Sequence, residues 1–296
     1  MVSVVRPRVS FWPENSIALT ARAASQCLVG AGIDPHDLGI LINTGVYRYK
    51  NTGEPAIAAL IQEKIAANKA GRKRSGNSGK TFSFDLNNGG CGLLTGIEIV
   101  HNLLNNGEIY YGMIVTGDSE PFHGLSEDYG FYAAAAAVIL SKSDESVGFS
   151  MFRTYSYPDY SDEFSSYTFF NKTGSNGRGR NKLKVMQKDT YMDFCVDCAL
   201  KSLFDFLAES GKTLDEIDLI IPSQSPPGFV SRMKNQVGMN DNFIQVADNG
   251  NKVFHTAGPA FALKKVWDDN RFGNSKNIIF LTVGSGISVS ITLYVN

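Results

Sequence analysis

The sequence predicts an α/β protein made of two similar halves, and three observations support this prediction. Helix-like and strand-like patterns alternate along the 296 residues. The same order of helix, strand, strand, helix and strand occurs once in each half of the chain. The strands are near-continuous apolar runs, which is typical of sheets covered on both faces. We expect the halves to span residues 1–150 and 151–296.

In the first half, apolar periodicity and turn residues define the elements. They are a helix at 16–32, strands at 38–42 and 81–86, a helix at 91–104 and a strand at 110–116. The loop at 87–90, Asn-Asn-Gly-Gly, separates the second strand from its helix. The run FYAAAAAVILS at 131–141 is predicted to be a tightly packed strand of small side chains.

The second half repeats this order after a long connection. Its elements are a helix at 191–210, strands at 217–221 and 243–247, a helix at 255–267 and a strand at 278–283. The segment 171–184 is rich in Gly, Asn, Lys and Arg and lacks apolar periodicity, so we expect a loop there.

Composition excludes several classes of protein. Hydrophobic residues make up 43% of the chain, so it is globular rather than disordered. The 28 Lys and Arg residues do not exceed the 29 Asp and Glu residues, which argues against general nucleic-acid binding. The longest apolar run, 131–140, is far shorter than the roughly 20 residues of a membrane span. No secretion signal is evident, so we expect a cytoplasmic protein with four free thiols.

Cys91, in NNGGCGLLTG, is the strongest candidate for a nucleophile. A thiol at a helix N-terminus is expected to have a lowered pKa, and neighbouring glycines leave room for a bulky thioester. The backbone N–H of Cys91 is a candidate for half of an oxyanion hole. The alternative is a buried cysteine that acts as a small hydrophobic residue.

His255, in VFHTAGPAFAL, occupies in the second half the position that Cys91 occupies in the first. Each residue lies where a loop enters a helix. An imidazole there is suited to act as general base or hydrogen-bond donor for chemistry at the cysteine. The alternative is a structural histidine.

Two other patterns carry less weight. Cys195 and Cys198 form a C-x-x-C spacing, but it falls inside a helix without a second ligand pair, so we predict no metal site and no redox site. The glycine-rich stretch 174–179 matches no nucleotide-binding motif.

A basic cluster lies between residues 64 and 80, although the net charge of the whole chain is only −1. It is either solvated surface or a contact site for a phosphate-bearing substrate or an acidic carrier protein. Its candidate binding residues are Lys69, Arg72, Lys73 and Arg74.

The order of several motifs resembles that of the thiolase-fold condensing enzymes, and most closely the type III β-ketoacyl-acyl-carrier-protein synthases. The matching segments run from about residue 20 to the end of the chain. They are SFDLNNGGCGLLTGIEIVHNLLNNG, IVTGDSEP, SEDYGFYAAAAAVIL, DLIIPSQSP, HTAGPAFAL and IFLTVGSGISVSITLY.

This resemblance implies a five-layer α/β/α/β/α thiolase fold and acylation of Cys91 by a coenzyme A or carrier-protein thioester. It implies a homodimer, or a heterodimer with a paralogue, and no cofactor or metal. It also implies that Gly286, in the terminal glycine-rich segment, completes the oxyanion hole with Cys91.

The chain departs from the family pattern at three places. Ser223 stands where the type III synthases carry their first catalytic histidine, and His255 stands at the family's asparagine. A hydroxyl is a poorer stabiliser of an enolate than an imidazole, which makes decarboxylative condensation doubtful. The family's opening strand has no evident counterpart before residue 16.

Three hypotheses follow from these features. The first is an acyltransferase or 3-oxoacyl-synthase-like enzyme of fatty-acid or polyketide-like biosynthesis, with Cys91 as nucleophile, His255 as base or donor and Ser223 as a pocket residue. The second is a degenerate, non-catalytic subunit of a heterodimeric condensing enzyme. The third is a cysteine-dependent thioester hydrolase.

Overall fold

The computed structural model describes residues 1–8, 14–68, 81–143, 146–172, 179–239, 241–246 and 252–296. Its helices are α1 (Ser16–Ala31), α2 (Ile57–Lys64), α3 (Gly92–Asn105), α4 (Tyr191–Ser210), α5 (Phe229–Val237) and α6 (Gly258–Asp268). Its strands are β1 (Val2–Val5), β2 (Leu38–Asn43), β3 (Phe82–Asp85), β4 (Tyr111–Asp118), β5 (Ser126–Glu127), β6 (Ala134–Ser141), β7 (Gly148–Ser156), β8 (Phe164–Lys172), β9 (Gly179–Gln187), β10 (Leu219–Pro222), β11 (Asn277–Gly284) and β12 (Ser288–Val295).

The two large sheets have the same internal order. The first runs β1-β6-β4-β2-β3, and the second runs β10-β11-β12-β7. In each sheet two antiparallel pairs are followed by a parallel one: β1–β6, β6–β4 and β4–β2 in the first, and β7–β12, β12–β11 and β11–β10 in the second. The repeat in the sequence therefore corresponds to two copies of one sheet topology.

The helices form three layers around these sheets. Helices α1 and α2 pack on the outer face of the first sheet. Helices α3 and α6 lie between the sheets in the central apolar cluster, and α4 and α5 cover the outer face of the second sheet. The predicted five-layer α/β/α/β/α fold is confirmed, because each helix buries one apolar stripe against a sheet.

The small side chains of 131–141 do form a packed strand, although β6 begins at Ala134. It lies between β1 and β4. Ala134, Ala135, Ala136 and Ala137 are all buried there, which lets α1 approach the sheet closely.

Three expectations about local structure were wrong. The N-terminus does contain an opening strand, because β1 pairs with β6 from Val2 to Val5. The described parts of the segment 171–184 are not a loop. Residues 171–172 belong to β8 and residues 179–184 to β9, and these two strands form an antiparallel pair. The two-residue periodicity of β9 is hard to detect, because only Leu183 and Val185 of this strand are buried and its other side chains are exposed or half-buried. Residues 173–178 lie outside the described residues.

The third wrong expectation concerns the strand predicted at 243–247. The structure has a single parallel bridge there, between Phe243 and Ile220, and no longer strand among the described residues of this segment. This bridge holds the position in the second sheet that β3 holds in the first. The predicted boundary between residues 150 and 151 falls inside β7.

None of the described helices is both long enough and apolar enough to cross a bilayer.

Candidate active site

A tight turn joins β3 to α3 and carries the predicted nucleophile. Residues Gly89–Cys91 form a 3-10 turn, and α3 begins at Gly92. Gly89 has φ +49°, a conformation that glycine adopts without strain. A Cβ on Gly90 would overlap the carbonyl oxygen of Val283, so only glycine lets this turn pack against the end of β11.

The Cys91 thiol points into the protein. The residue is 0% exposed, and Sγ lies 3.5 Å from the carbonyl oxygen of Thr282 and 3.4 Å from that of Ser288. Burial raises the pKa of the Cys91 thiol, although hydrogen bonds from neighbouring groups counteract part of this effect. This direction is opposite to the lowering expected from the position at a helix N-terminus, and its largest cause is desolvation of the thiolate.

A cavity of about 450 Å³ opens beside this turn. It lies where β2, β3, β10 and β11 end, which is the edge at which α/β sheets bind their ligands. Its lining includes Gly89 and Gly90 but not Cys91. The other lining residues are Val46, Tyr47, Asn87, Asn88, Phe164, Ser165, Ser166, Tyr191, Ser223, Ser225, His255, Val283, Gly284 and Ser285.

His255 lines this cavity and is held by a buried carboxylate. Its Nδ1 lies 3.6 Å from Oδ2 of Asp118, and the two side chains are 12% and 2% exposed. Nδ1 is buried and this separation exceeds a hydrogen-bond length, so the contact with the carboxylate is electrostatic rather than a hydrogen bond. Because the Nδ1 edge faces Asp118, the Nε2 edge of the ring is the one available to the cavity.

Asp118 is fixed by four further contacts. Its Oδ1 accepts hydrogen bonds from the backbone N–H groups of Val46, at 3.0 Å, and Tyr47, at 2.9 Å. Its Oδ2 accepts one from the Thr256 N–H at 3.0 Å and one from the Thr256 hydroxyl. The Thr116 hydroxyl donates in turn to that of Thr256. This network holds the carboxylate in one orientation beside His255.

Burial by itself would raise the pKa of Asp118, but its interaction with His255 and its hydrogen bonds outweigh burial and lower that pKa. Asp118 is therefore an ionised carboxylate inside the protein. Sequence reasoning did not single it out. The available signal was an acidic residue at the C-terminal end of the apolar strand β4, at the edge of the sheet where functional residues gather.

Aromatic rings surround the imidazole. The Phe131 ring lies 4.6 Å from that of His255 between centroids, and the Tyr47 ring lies 5.3 Å away. Tyr47 and Phe131 also stack on each other, at 5.2 Å. These contacts restrict rotation of the histidine ring and exclude water from one side of it.

Ser223 also lines the cavity, directly after β10. Its Oγ accepts a hydrogen bond of 2.9 Å from the backbone N–H of Val283, and the residue is 3% exposed. The Ser223 hydroxyl thus ties the ends of β10 and β11 together and keeps its own proton available for donation.

The oxyanion hole predicted at Cys91 and Gly286 stays a prediction. The Cys91 N–H already donates to the carbonyl oxygen of Asn88 at 2.9 Å. Gly286 is absent from the cavity lining, which instead contains Gly284 and Ser285. The N–H groups of Gly90 and Ser285 donate no hydrogen bond to any described residue, and both residues line the cavity.

Other sequence candidates lie away from this site. The basic residues Lys69, Arg72, Lys73 and Arg74 lie outside the described residues. Cys195 and Cys198 are buried on α4 as free thiols. Across the described part of the chain, no three His, Cys, Asp or Glu side chains are grouped so as to hold a metal ion.

Comparisons with known proteins agree with this architecture. No family model matches the sequence. The chain is 22% identical, over an alignment 299 positions long, to β-ketoacyl-[acyl-carrier-protein] synthase III of Clostridium tetani. The alignment covers 95% of this chain and 84% of that protein. It is 22% identical, over an alignment 303 positions long, to acyl-CoA:acyl-CoA alkyltransferase of Xanthomonas campestris pv. campestris. That alignment covers 95% of this chain and 82% of the other protein.

Solved structures show the same fold. The 3-oxoacyl-[acyl-carrier-protein] synthase III from Aquifex aeolicus VF5 superimposes with a TM-score of 0.75 at 16% identity, over 96% of this chain and 85% of that one. A structure of OleA from Xanthomonas campestris gives 0.78 at 18% identity, over 98% and 85%. The chain therefore has the thiolase fold, which it shares with OleA, and it is a divergent relative of the type III β-ketoacyl-acyl-carrier-protein synthases.

Proposed function

We propose that this chain is an acyltransferase of the 3-oxoacyl-synthase type. It takes an acyl group from a thioester of coenzyme A or an acyl carrier protein onto Cys91 and passes it to an acceptor, in fatty-acid or polyketide-like biosynthesis. The observation that carries this proposal is the cavity that combines His255, held by Asp118, with a serine hydroxyl and backbone N–H groups that have no partner among the described residues.

The chemistry of a thioester fits these groups. Transfer of an acyl group needs a base for the attacking atom and donors for the negative charge that develops on the carbonyl oxygen. In this proposal His255 serves as the base. The backbone N–H groups at the turn and the Ser223 hydroxyl serve as donors, and their common position in the cavity lining supports these roles.

Asp118 is a positioning residue in this proposal. Its carboxylate lies beside Nδ1 and favours the tautomer with the proton on that nitrogen. The lone pair of Nε2 then faces the cavity, which is the state that accepts a proton from an incoming acceptor.

Carbon–carbon condensation is the finer version of this activity. The enzyme names of the curated relatives support it. Ser223 in place of a second imidazole opposes it, because a neutral hydroxyl stabilises an enolate less well. Release of carbon dioxide from a malonyl thioester, measured beside acyl transfer, distinguishes the two.

The remaining parts of the proposal concern partners. We expect a cytoplasmic homodimer or a heterodimer with a paralogue, and no nucleic-acid partner, metal or cofactor. The basic residues Lys69, Arg72, Lys73 and Arg74 are proposed to contact the phosphates of coenzyme A or the acidic surface of a carrier protein. Their charge makes acyl-donor binding weaken as salt concentration rises.

The alternative, a non-catalytic subunit, is not favoured, because the curated relatives bear enzyme names. The test is release of free thiol from a panel of acyl-coenzyme A and acyl-carrier-protein donors. We expect release by the wild type and a loss of about 10²-fold or more in His255→Gln, which removes the base.

His123→Gln is the matched control. His123 also pairs with a carboxylate, Glu120 at 3.8 Å, but its side chain is 80% exposed and lies outside the cavity. The variant His123→Gln should retain full activity in thiol release. Equal losses in both variants, or no release from any donor, would refute the proposed function.

A further inference from the structure

A row of three hydroxyl side chains crosses the second sheet beside the turn that carries Cys91. Thr282 of β11 pairs directly with Ser290 of β12, and Ser290 pairs with Thr154 of β7. Directly paired residues of antiparallel strands place their side chains on the same face of the sheet. The hydroxyl oxygens of Thr154 and Ser290 lie 3.1 Å apart, which is a hydrogen-bond distance. We call these three residues the hydroxyl row.

The hydroxyl row lies on the face that packs against the central helices. The next row of this face consists of Phe280, Thr292 and Phe152, and its two rings pack in the central apolar cluster. Thr282 is 0% and Ser290 is 4% exposed. Burying a hydroxyl is costly unless a hydrogen bond compensates for its lost hydration. These two hydroxyls therefore need polar partners inside the protein.

The sulfur of Cys91 is such a partner. Burial is the largest influence on the thiol and raises its pKa, whereas hydrogen bonds with the side chains of Ser290 and Thr282 lower that pKa. Backbone hydrogen bonds with Ser290 and Gly284 act in the same direction. The hydroxyls and backbone N–H groups are donors, so they satisfy a thiolate better than a thiol.

The thiol and the thiolate use different partners. The neutral thiol donates to the carbonyl oxygens of Thr282 and Ser288, which lie 3.5 Å and 3.4 Å from Sγ. In that state the Thr282 hydroxyl donates to the Ser290 carbonyl oxygen at 3.3 Å. A thiolate has no proton to donate, and it accepts from the hydroxyls instead. Thr154 supports this state, because when it donates to Ser290 Oγ the Ser290 proton is available to the sulfur.

The sulfur also lies close to the cavity. Gly284 lines the cavity, and a Cβ built on it would lie 3.4 Å from Sγ of Cys91. Glycine at this position therefore keeps the space between the cavity and the sulfur free of a side chain.

We propose that the hydroxyl row stabilises the thiolate of Cys91 for uptake of the acyl group. Ser290 and Thr282 donate hydrogen bonds to the sulfur, and Thr154 orients the Ser290 hydroxyl. All three are positioning residues, because they act through Cys91. This inference rests on the proposed function, in which Cys91 receives the acyl group.

Bonds and protons balance in this step. Cys91 ionises and releases its proton to solvent. The thiolate sulfur bonds to the carbonyl carbon of the donor thioester, and the carbon–sulfur bond of the donor breaks. The departing thiolate takes up one proton from solvent. The hydroxyls of the row keep their protons throughout.

Titratable side chains on the neighbouring strands and on α3 are not placed to replace the hydroxyl row. Tyr294 is the one titratable side chain of β11 and β12. Arg153 and Tyr155 of β7 point to the opposite face from the row and contact Glu209. The first titratable side chain of α3 is Glu98, about 10 Å along the helix axis from its start.

The side chains of α4 and of the cavity also stay out of this role. Tyr191 and Cys195 interact electrostatically with Cys91, but burial raises the pKa of Tyr191 well above 10.0 and that of Cys195 to about 12. Both are therefore neutral below pH 9. His255 contacts Asp118. The pH dependence of Cys91 reactivity should therefore report on the hydroxyl row.

The experiment follows alkylation of Cys91 by iodoacetamide from pH 6 to pH 10, read from the mass of the peptide that contains Cys91. Loss of one hydrogen bond to a charged group lowers the thiolate fraction about tenfold to hundredfold, and the greater nucleophilicity of a more basic thiolate offsets about half of this on a logarithmic scale. We therefore expect Thr282→Val and Ser290→Ala each to react about threefold to tenfold more slowly at pH 7.5. Their pH–rate profiles should level off at higher pH than that of the wild type.

Two further variants separate the hydroxyl from its shape and burial. Thr282→Ser keeps the hydroxyl and loses the methyl group, so it should react like the wild type. Thr292→Val is the matched control: Thr292 lies two residues beyond Ser290 on the same face of β12, is 0% exposed, and its hydroxyl has no hydrogen-bond partner among the described residues. It should leave both the rate and the pH–rate profile unchanged.

The outcomes distinguish this inference from the proposed function. Equal rates and profiles in the wild type, Thr282→Val and Ser290→Ala would overturn the role of the hydroxyl row, as would a wild-type Cys91 that fails to react at any pH. The expected shifts in a protein that gains no acyl mass from any donor thioester would support the row and refute the proposed function. Should Ser290→Ala fail to fold, the comparison of Thr282→Val with Thr282→Ser decides the question.

Discussion

Replacing Asp118 by Asn tests whether the carboxylate positions His255 or only supports the fold. The carboxylate has two acceptor oxygens, and each accepts two hydrogen bonds from Val46, Tyr47 and Thr256. An amide has one acceptor oxygen and one NH2 group. In either orientation the NH2 group meets two donors, so two bonds are lost.

The magnitude follows from this count. A hydrogen bond to a charged group contributes about 1.5–3 kcal/mol, so loss of two such bonds lowers the free energy of unfolding by about 3–6 kcal/mol. The assay is guanidinium unfolding at pH 7, compared between the wild type and Asp118→Asn. The matched control is Asp85→Asn.

Asp85 is a suitable control because it is bonded in a similar way but does not line the cavity. It accepts hydrogen bonds from the N–H groups of Ile57, at 2.9 Å, and Ala58, at 2.8 Å, and from the Asn43 amide at 3.1 Å. We expect a loss of stability of the same order in Asp85→Asn. Only Asp118→Asn should change the ¹⁵N signature that reports the tautomer of His255.

The pH dependence has a definite sign. The pKa of Asp118 in the folded protein lies below its ordinary value of 3.8, so its contribution to stability is present above that pH and is lost as the pH falls. The difference in stability between the wild type and Asp118→Asn should therefore narrow from pH 6 to pH 3. A loss below about 1 kcal/mol at pH 7, or an unchanged ¹⁵N signature, would refute the positioning role.

Other predictions concern the turn Gly89–Cys91 and the thiols of Cys27 and Cys195. Gly90→Ala should lower the free energy of unfolding by about 1–3 kcal/mol, because the added Cβ overlaps the Val283 carbonyl oxygen. Gly53→Ala should change the free energy of unfolding little, because a Cβ there meets open space. Thermal unfolding of the two variants makes this comparison. The thiol of Cys27 should react about 100-fold more slowly with iodoacetamide at pH 7.5 than an exposed cysteine, because burial raises its pKa from 9.0 to about 11; equal alkylation rates would contradict this. Burial likewise raises the pKa of Cys195 to about 12. The stability that the neutral thiols of Cys27 and Cys195 contribute should therefore be lost as the pH rises from 9 toward 11 and 12, and urea unfolding across that pH range measures this loss.

Much of the fold could be predicted from local pattern. The helices and buried strands have strong apolar periodicity, and the repeat of their order indicated two copies of one sheet. The pattern failed for β8 and β9, where most side chains are exposed on both faces and alternation is weak. It also failed for β1, whose four residues gain their strand structure from pairing with β6, about 130 residues along the chain.

The candidate site divides in the same way. The sequence by itself determined that a glycine turn enters α3 near Cys91 and that His255 begins the matching segment, because turn and helix signals are local. Only the tertiary structure decided which residues of that turn line the cavity. The turn packs against the end of β11, Gly89 and Gly90 contribute to the cavity lining, and the Cys91 side chain is buried. The partnership of His255 with Asp118 likewise depends on the docking of one half of the chain against the other, which no local pattern encodes.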